Sequence, residues 1–192
     1  MKKLNIREMT MCAMFTVLII VGAFIKIPIP YVPFTLQFLF TLLAGLLLGG
    51  RAGSVCVLLY AVLGLAGLPV FAEGGGIWYL IKPSFGYIIG FIVATYVTGK
   101  MTEKMAGFKW KRVLLANFTG LLIVYAIGMV YYYLICNYVI NTPIGVWPVI
   151  LYCFILAVPG DICLCILAAA ITKRLRPVMH SFGINIGKEE RV

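Results

Sequence analysis

Acidic residues, histidine and charge in general are what this 192-residue sequence has least of. It holds six Asp and Glu, one histidine, and a charged fraction of 11%, less than half of what soluble domains carry. With 63% hydrophobic residues and a mean hydropathy of +1.07, that scarcity excludes a water-soluble globular domain. Alternation of apolar and polar residues is missing too, which excludes a closed transmembrane barrel and leaves helices as the only way across a bilayer. No GxxxxGK[ST] phosphate loop occurs, so ATP is not handled by that device here. The Pro-Ile-Pro, triple-glycine and Pro-Gly-Asp elements each occur once, at unrelated spacing, which does not support a two-fold inverted repeat. No CxxC pair exists. The six cysteines, Cys12, Cys56, Cys136, Cys153, Cys163 and Cys165, lie in apolar surroundings with only His180 to join them, so they read as packing or lipid-facing residues rather than a disulfide or metal set.

What is present is a succession of apolar runs, each near the roughly 20 helical residues that cross the hydrocarbon core. They predict an all-α integral membrane protein of six transmembrane helices, at about 10–25, 34–48, 52–68, 84–98, 113–138 and 149–171. One membrane domain covers 1–192, ending in a polar tail at 177–192. The first run meets Lys26 and Pro28-Ile29-Pro30 without a small-residue cleavage pattern, and so reads as a retained helix. The net charge of +10 is a topology signal and not a nucleic-acid footprint. Its basic residues sit at the N-terminus (Lys2, Lys3, Arg7), at Arg51, between Lys100 and Arg112, and from Lys173 to Arg176. The alternate connections hold only Lys26 and Lys82. That asymmetry predicts a multi-pass cell-membrane protein with both termini cytoplasmic, its basic connector able to meet anionic lipid head groups.

The stretch 67–91 would then face outward. Gly74, Gly75 and Gly76 cannot be helix interior, and they let the backbone take positive φ and approach a bound molecule closely. Phe71, Trp78 and Tyr79 flank them with flat apolar faces. The stretch reads as a binding loop or as a re-entrant connection, and Trp78 and Tyr79 equally as interfacial anchors. Lys82 and the Ser84 hydroxyl could attract an anionic group at the mouth, or Lys82 could simply snorkel. Tyr131-Tyr132-Tyr133 reads as an aromatic belt.

Asp161, after Pro159-Gly160, is the only acid inside an apolar run. A carboxylate there costs near 3 kcal/mol on insertion scales, which marks it as a functional residue by default; as an N-cap it could also serve its own helix. With no histidine or serine partner at a recognisable spacing, no catalytic residue is assigned and an intramembrane enzyme is disfavoured. A purely structural subunit would need neither the glycine loop nor the buried acid. Cys12, Ala13 and Thr16 form a small-residue face on the first helix, suited to internal packing or to a partner helix.

Leu68-Pro69-Val70-Phe71-Ala72 with the glycines, and Pro83-Ser84-Phe85-Gly86-Tyr87-Ile88-Ile89-Gly90-Phe91, resemble the signature of the BioY family, the biotin-binding S component of energy-coupling factor (ECF) transporters. Val32-Pro33-Phe34-Thr35-Leu36-Gln37, Leu42-Leu43-Ala44-Gly45 and Pro159-Gly160-Asp161 extend that likeness, in the family's order, over about five of the six helices. The resemblance implies a subunit without cofactor that captures biotin from outside. It would hand biotin inward when docked, through the Cys12, Ala13 and Thr16 face, to a transmembrane T component and two ATPase subunits. It also implies a substrate site that includes Tyr87. The family's lysine three residues after the aspartate is Leu164 here, while Lys82 stands where the family commonly has glycine. Biotin's ureido N–H groups suit Asp161 and its carboxylate suits Lys82. Lipoate, the alternative vitamin, would use Lys82 but has no evident need of Asp161.

Overall fold

A computed structural model describes residues 6–27, 34–103, 105 and 107–181. Lys2, Lys3, Pro28 to Pro30, Val32, Pro33, Lys104 and residues 182–192 lie outside the described residues, as does the side chain of His180. The described chain is a helical bundle with one two-residue ladder. Helix α1 covers Ile6–Phe24, and strands β1 (Lys26–Ile27) and β2 (Phe34–Thr35) pair antiparallel, Lys26 opposite Thr35. Then come α2 (Gln37–Leu65), a 3-10 turn (Ile77–Ile81), α3 (Phe85–Glu103) and α4 (Trp110–Leu134). A π-helical segment (Ile135–Val139), α5 (Val146–Ile150), a second π-helical segment (Leu151–Ile155) and α6 (Val158–Ser181) complete the bundle. Among the described residues, four runs are long and apolar enough to cross a membrane: Ile6–Phe24, Gln37–Leu65, Trp110–Val139 and Val146–Met179.

Helix α2 is not straight. Gly49 has φ 84° and ψ 173° inside it, a conformation that a side chain would strain, and the helix turns back on itself there. A Cβ on Gly53 would lie 2.8 Å from the carbonyl carbon of Ala44, nine residues earlier. In a continuous helix those positions would be about 13 Å apart. The two runs expected at 34–48 and 52–68 are therefore the arms of a helical hairpin bent at Gly49. Its bend is tied to α3: the Gly50 amide donates to Glu103 Oε1 at 2.8 Å, and Lys100 Nζ reaches Glu103 Oε2 at 2.7 Å.

Small residues let the helices meet closely, as packing in lipid requires. A Cβ on Gly99 of α3 would stand 2.3 Å from the Gly50 amide nitrogen. That clash is with backbone and cannot be relieved by a rotamer, so Gly99→Ala is expected to destabilise the bundle by about 1–3 kcal/mol. A lowered melting midpoint in detergent would register it; an unchanged midpoint would show that the α2–α3 contact is loose enough to admit a methyl group.

Hydroxyls and one amide fasten the bundle. Thr95 Oγ1 donates to the Thr41 carbonyl at 3.2 Å, linking α3 to α2, and Asn117 Nδ2 donates to the Cys165 carbonyl at 2.8 Å, linking α4 to α6. On α1, Thr16 Oγ1 lies 3.1 Å from the Cys56 carbonyl and Cys12 Sγ 3.5 Å from that of Ala52. Cys12 and Thr16 are thus turned into the second arm of α2 and buried, and of the small-residue trio only Ala13 is exposed. The periodicity of α1 explains this, since positions 12 and 16 share the face that carries Phe15 and Ile19 inward. Five cysteines are buried and Cys163 is exposed, all six free.

The C-terminal boundary also differs from expectation. Pro177, read as the start of the polar tail, lies inside α6, which continues to Ser181 and carries Lys173, Arg174 and Arg176. Arg176 donates to the carbonyls of Met105 and Gly107, at 3.2 and 3.3 Å. Pinning the α3–α4 connection gives this end of the helix a reason to persist beyond the apolar run.

Candidate functional site

At the end of the bundle away from the Gly49 bend lies a cavity. About 80 Å³ of it is open to the centre of a water-sized sphere, several times what a single water needs. Helix α3 and the residue before it contribute Ser84, Tyr87, Ile88 and Phe91, whose spacing of three, one and three puts them on one face. The two arms of α2 contribute Gln37 and Phe38 from one and Tyr60 from the other, and α4 contributes Val124 and Tyr125. Tyr152 and Cys153 come from the second π-helical segment, Ala157 and Asp161 from the last helix and its approach, and Phe34 and Thr35 from β2. Ala72, from the loop after α2, and Tyr79, from the 3-10 turn, complete the lining.

Asp161 is the acid of this cavity and, among the described residues, the only charged one lining it. Helix α6 already begins at Val158, and the Asp161 amide bonds to the Ala157 carbonyl at 3.2 Å. The residue is therefore inside the first turn and not at the N-cap. Its side chain, 9% exposed, accepts a hydrogen bond from the Tyr125 hydroxyl. Tyr125 is held edge-on between Tyr87, at 6.3 Å between ring centroids, and Phe154, at 5.1 Å. One carboxylate oxygen is thus engaged by a fixed phenol, and an acceptor remains for donors arriving from the cavity.

Of the other residues singled out from the sequence, Tyr79, Ser84 and Tyr87 line the cavity, with Ser84 Oγ 3.4 Å from the Tyr79 hydroxyl. The remainder stand around it. Phe71 is buried beneath, its ring 5.2 Å from Tyr60 and 4.4 Å from Tyr79. The three glycines fold the loop onto the end of α2. Gly74 and Gly76 take φ of 112° and 101°, and the Gly76 amide donates to the Gly64 carbonyl at 2.7 Å. At Gly75 a Cβ would strike the Leu68 carbonyl oxygen at 2.0 Å. Their freedom is spent on backbone packing, and none of them lines the cavity. Lys82 points to the loop, 3.0 Å from the Glu73 carbonyl and 3.2 Å from its carboxylate, over the Tyr79 ring at 5.0 Å. Trp78 is 78% exposed. Tyr131, read as belt, donates instead to the Leu80 carbonyl at 2.5 Å and so anchors the 3-10 turn.

Gln37, Tyr60, Tyr125, Tyr152 and Cys153 line the cavity without having been picked out from the sequence. Gln37 carried a signal nonetheless, as the sole glutamine at the head of an apolar run, where a polar side chain is costly. Leu164, at the position of the expected family lysine, is 7% exposed and packs in the core.

Comparison with known proteins agrees with this architecture. The BioY family profile matches residues 1–181. A protein of Lysinibacillus sphaericus named as a probable biotin transporter BioY is 44% identical over 181 residues, covering 94% of this chain and 92% of the relative. A biotin transporter BioY of Thermotoga maritima is 44% identical over 124 residues, 64% of this chain and 72% of its own. The crystal structure of the S-component for biotin from an ECF-type ABC transporter superposes with a TM-score of 0.78 at 27% identity, covering 92% of this chain and 95% of that one. With profile, sequence and backbone agreeing over nearly the whole length, the chain belongs to the BioY family.

Proposed function

We propose that this chain is a biotin-capturing S component of an ECF-type importer, which receives the vitamin from outside the cell and holds it in the cavity beside Asp161. The observation that carries the reading is the buried Asp161–Tyr125 pair in an otherwise neutral, aromatic-lined cavity. A carboxylate at that depth calls for hydrogen-bond donors, and the two ureido N–H groups of biotin are neutral donors on a compact apolar ring system. A lipoyl group offers no such donors, and the relatives above are named for biotin, so lipoate is not favoured.

The bundle is one membrane domain with six crossings, counting the two arms of α2 separately. Arg51, Lys100, Lys109, Lys111, Arg112, Lys173, Arg174 and Arg176 lie at or toward the Gly49 end, and a basic end faces the cytoplasm. Both termini are then cytoplasmic and the cavity opens outward. Release inward is driven by a T component and two ATPase subunits, met on the exposed side of α1 that carries Ala13.

The direct test is calorimetric titration of the purified protein with biotin, where submicromolar binding at one site is expected and absence of binding rejects the reading. Lys82 supports a smaller expectation. Its pair with Glu73 is about two-fifths exposed on both sides, where ion pairs are worth about 1 kcal/mol or less. Lys82→Ala is therefore expected to weaken biotin binding by roughly fivefold or less and to reduce the salt dependence of the association rate measured by stopped flow.

A further inference from the structure

Beyond the Asp161–Tyr125 pair and the Ser84–Tyr79 contact, the cavity holds further buried polar groups. Among the buried side-chain atoms of the described residues, Gln37 Nε2, Tyr60 OH and Tyr87 OH make no well-formed hydrogen bond, Gln37 and Tyr60 meeting each other only in a loose contact, and all three residues line the cavity. Gln37 is 4% exposed and Tyr60 is fully buried. Leaving such donors unpaired is costly, and a cavity retains that cost when something else satisfies it.

The hairpin explains why two of them sit together. Gln37 stands twelve residues before Gly49 and Tyr60 eleven after it, so the bend brings both to the same level on adjacent arms, with the Gln37 side chain beside the Tyr60 hydroxyl. Two donors from opposite arms therefore converge on one side of the space that Asp161 enters from α6.

We propose that Gln37 and Tyr60 form the donor pair that receives the ureido carbonyl oxygen of the ligand, and so set specificity for a urea over its donor-only analogues. This deepens the biotin reading and rests on it. The division of labour follows from charge. Among the described residues no lysine or arginine lines the cavity, so a ligand carboxylate placed there would face Asp161 with no cation to offset the repulsion. The neutral carbonyl is the acceptor that neutral donors at this depth can hold, and the carboxylate is left for the mouth, where Lys82 lies. Asp161 then accepts from a ureido N–H while Gln37 and Tyr60 donate to the oxygen between the two nitrogens, so each polar atom of the ring meets its opposite.

The test compares biotin with 2-iminobiotin, in which the carbonyl oxygen is replaced by a nitrogen that donates, and uses dethiobiotin as a control that keeps the urea. The variants are Gln37→Leu and Tyr60→Phe, each checked for monodispersity and melting midpoint in detergent. Removing a donor is expected to weaken biotin and dethiobiotin by roughly ten- to a hundredfold while changing 2-iminobiotin by less than about threefold, so that the preference for the urea collapses. Gln37→Glu, which supplies an acceptor, is expected to shift the preference toward 2-iminobiotin. Equal losses for all three ligands, or no loss in either variant, overturn the assignment. Should Gln37→Leu fail to fold, Tyr60→Phe decides the matter alone. A wild-type protein that binds no biotin would instead reject the functional reading itself, a result distinct from binding with unchanged preference.

Discussion

Asp161→Ala should weaken biotin binding by roughly 2–5 kcal/mol, which is about thirty- to four-thousandfold in Kd. The size follows from where the carboxylate is: 9% exposed, bonded to one protein hydroxyl, and otherwise presented to the cavity. In the proposed pose, removing it leaves a ureido N–H without its acceptor and also orphans the Tyr125 hydroxyl. Asp161→Asn keeps the shape but not the charge and should fall between the wild type and the alanine variant, because hydrogen bonds to ionised groups are about twice as strong as neutral ones. Tyr125→Phe should cost less than Asp161→Ala, since it removes the residue that holds the acceptor and not the acceptor itself. Calorimetric titration of the four proteins reads the series. Were Asp161→Ala to bind biotin as the wild type does, the carboxylate would be a structural element and the site would lie elsewhere.

Filling the cavity should have an effect at least as large by a different route. Ala157 lines it one helical turn before Asp161, and Ala157→Phe places a phenyl ring in a space where the centre of a water-sized sphere has about 80 Å³ open to it. A ligand and a ring cannot share that volume, so biotin affinity should fall by more than about a hundredfold, the equivalent of some 3 kcal/mol. Stability should move far less, because the ring occupies existing space and does not displace a packed core. The paired measurement is ligand titration with the melting midpoint. Retained binding would mean that the vitamin sits outside this cavity, whereas loss of both binding and folding would be settled with Ala157→Val, whose smaller intrusion should reduce affinity in proportion.

That Asp161 would stand in a special place was legible because an isolated acid in an apolar run is costly, and it does line the cavity, as do Tyr79, Ser84 and Tyr87 from the motif beside it. The reversal at Gly49 was legible as a turn between two apolar runs, though not the contact of its arms. What could not be read from the chain was convergence. Gln37, Tyr60 and Tyr125 look like any interior polar or aromatic residue until the hairpin and α4 bring them to one space. The glycines take the positive φ their pattern called for, and Gly74 and Gly76 use it to lay the loop on the end of α2, beside and not within the cavity lining. On α1, smallness alone did not indicate direction, and Cys12 and Thr16 turned inward because Phe15 and Ile19 share their side.

The first arm of the hairpin, residues 37–48, is only twelve residues long, which is about 18 Å of helix in a hydrocarbon layer of about 30 Å. On the proposed orientation, a solute resting beside Gln37, at the tip of that arm away from the bend, would lie only about one such arm's length from the basic end of the bundle. That arm is buried along nearly its whole length, so the neighbouring helices, and not lipid, accommodate its shortness.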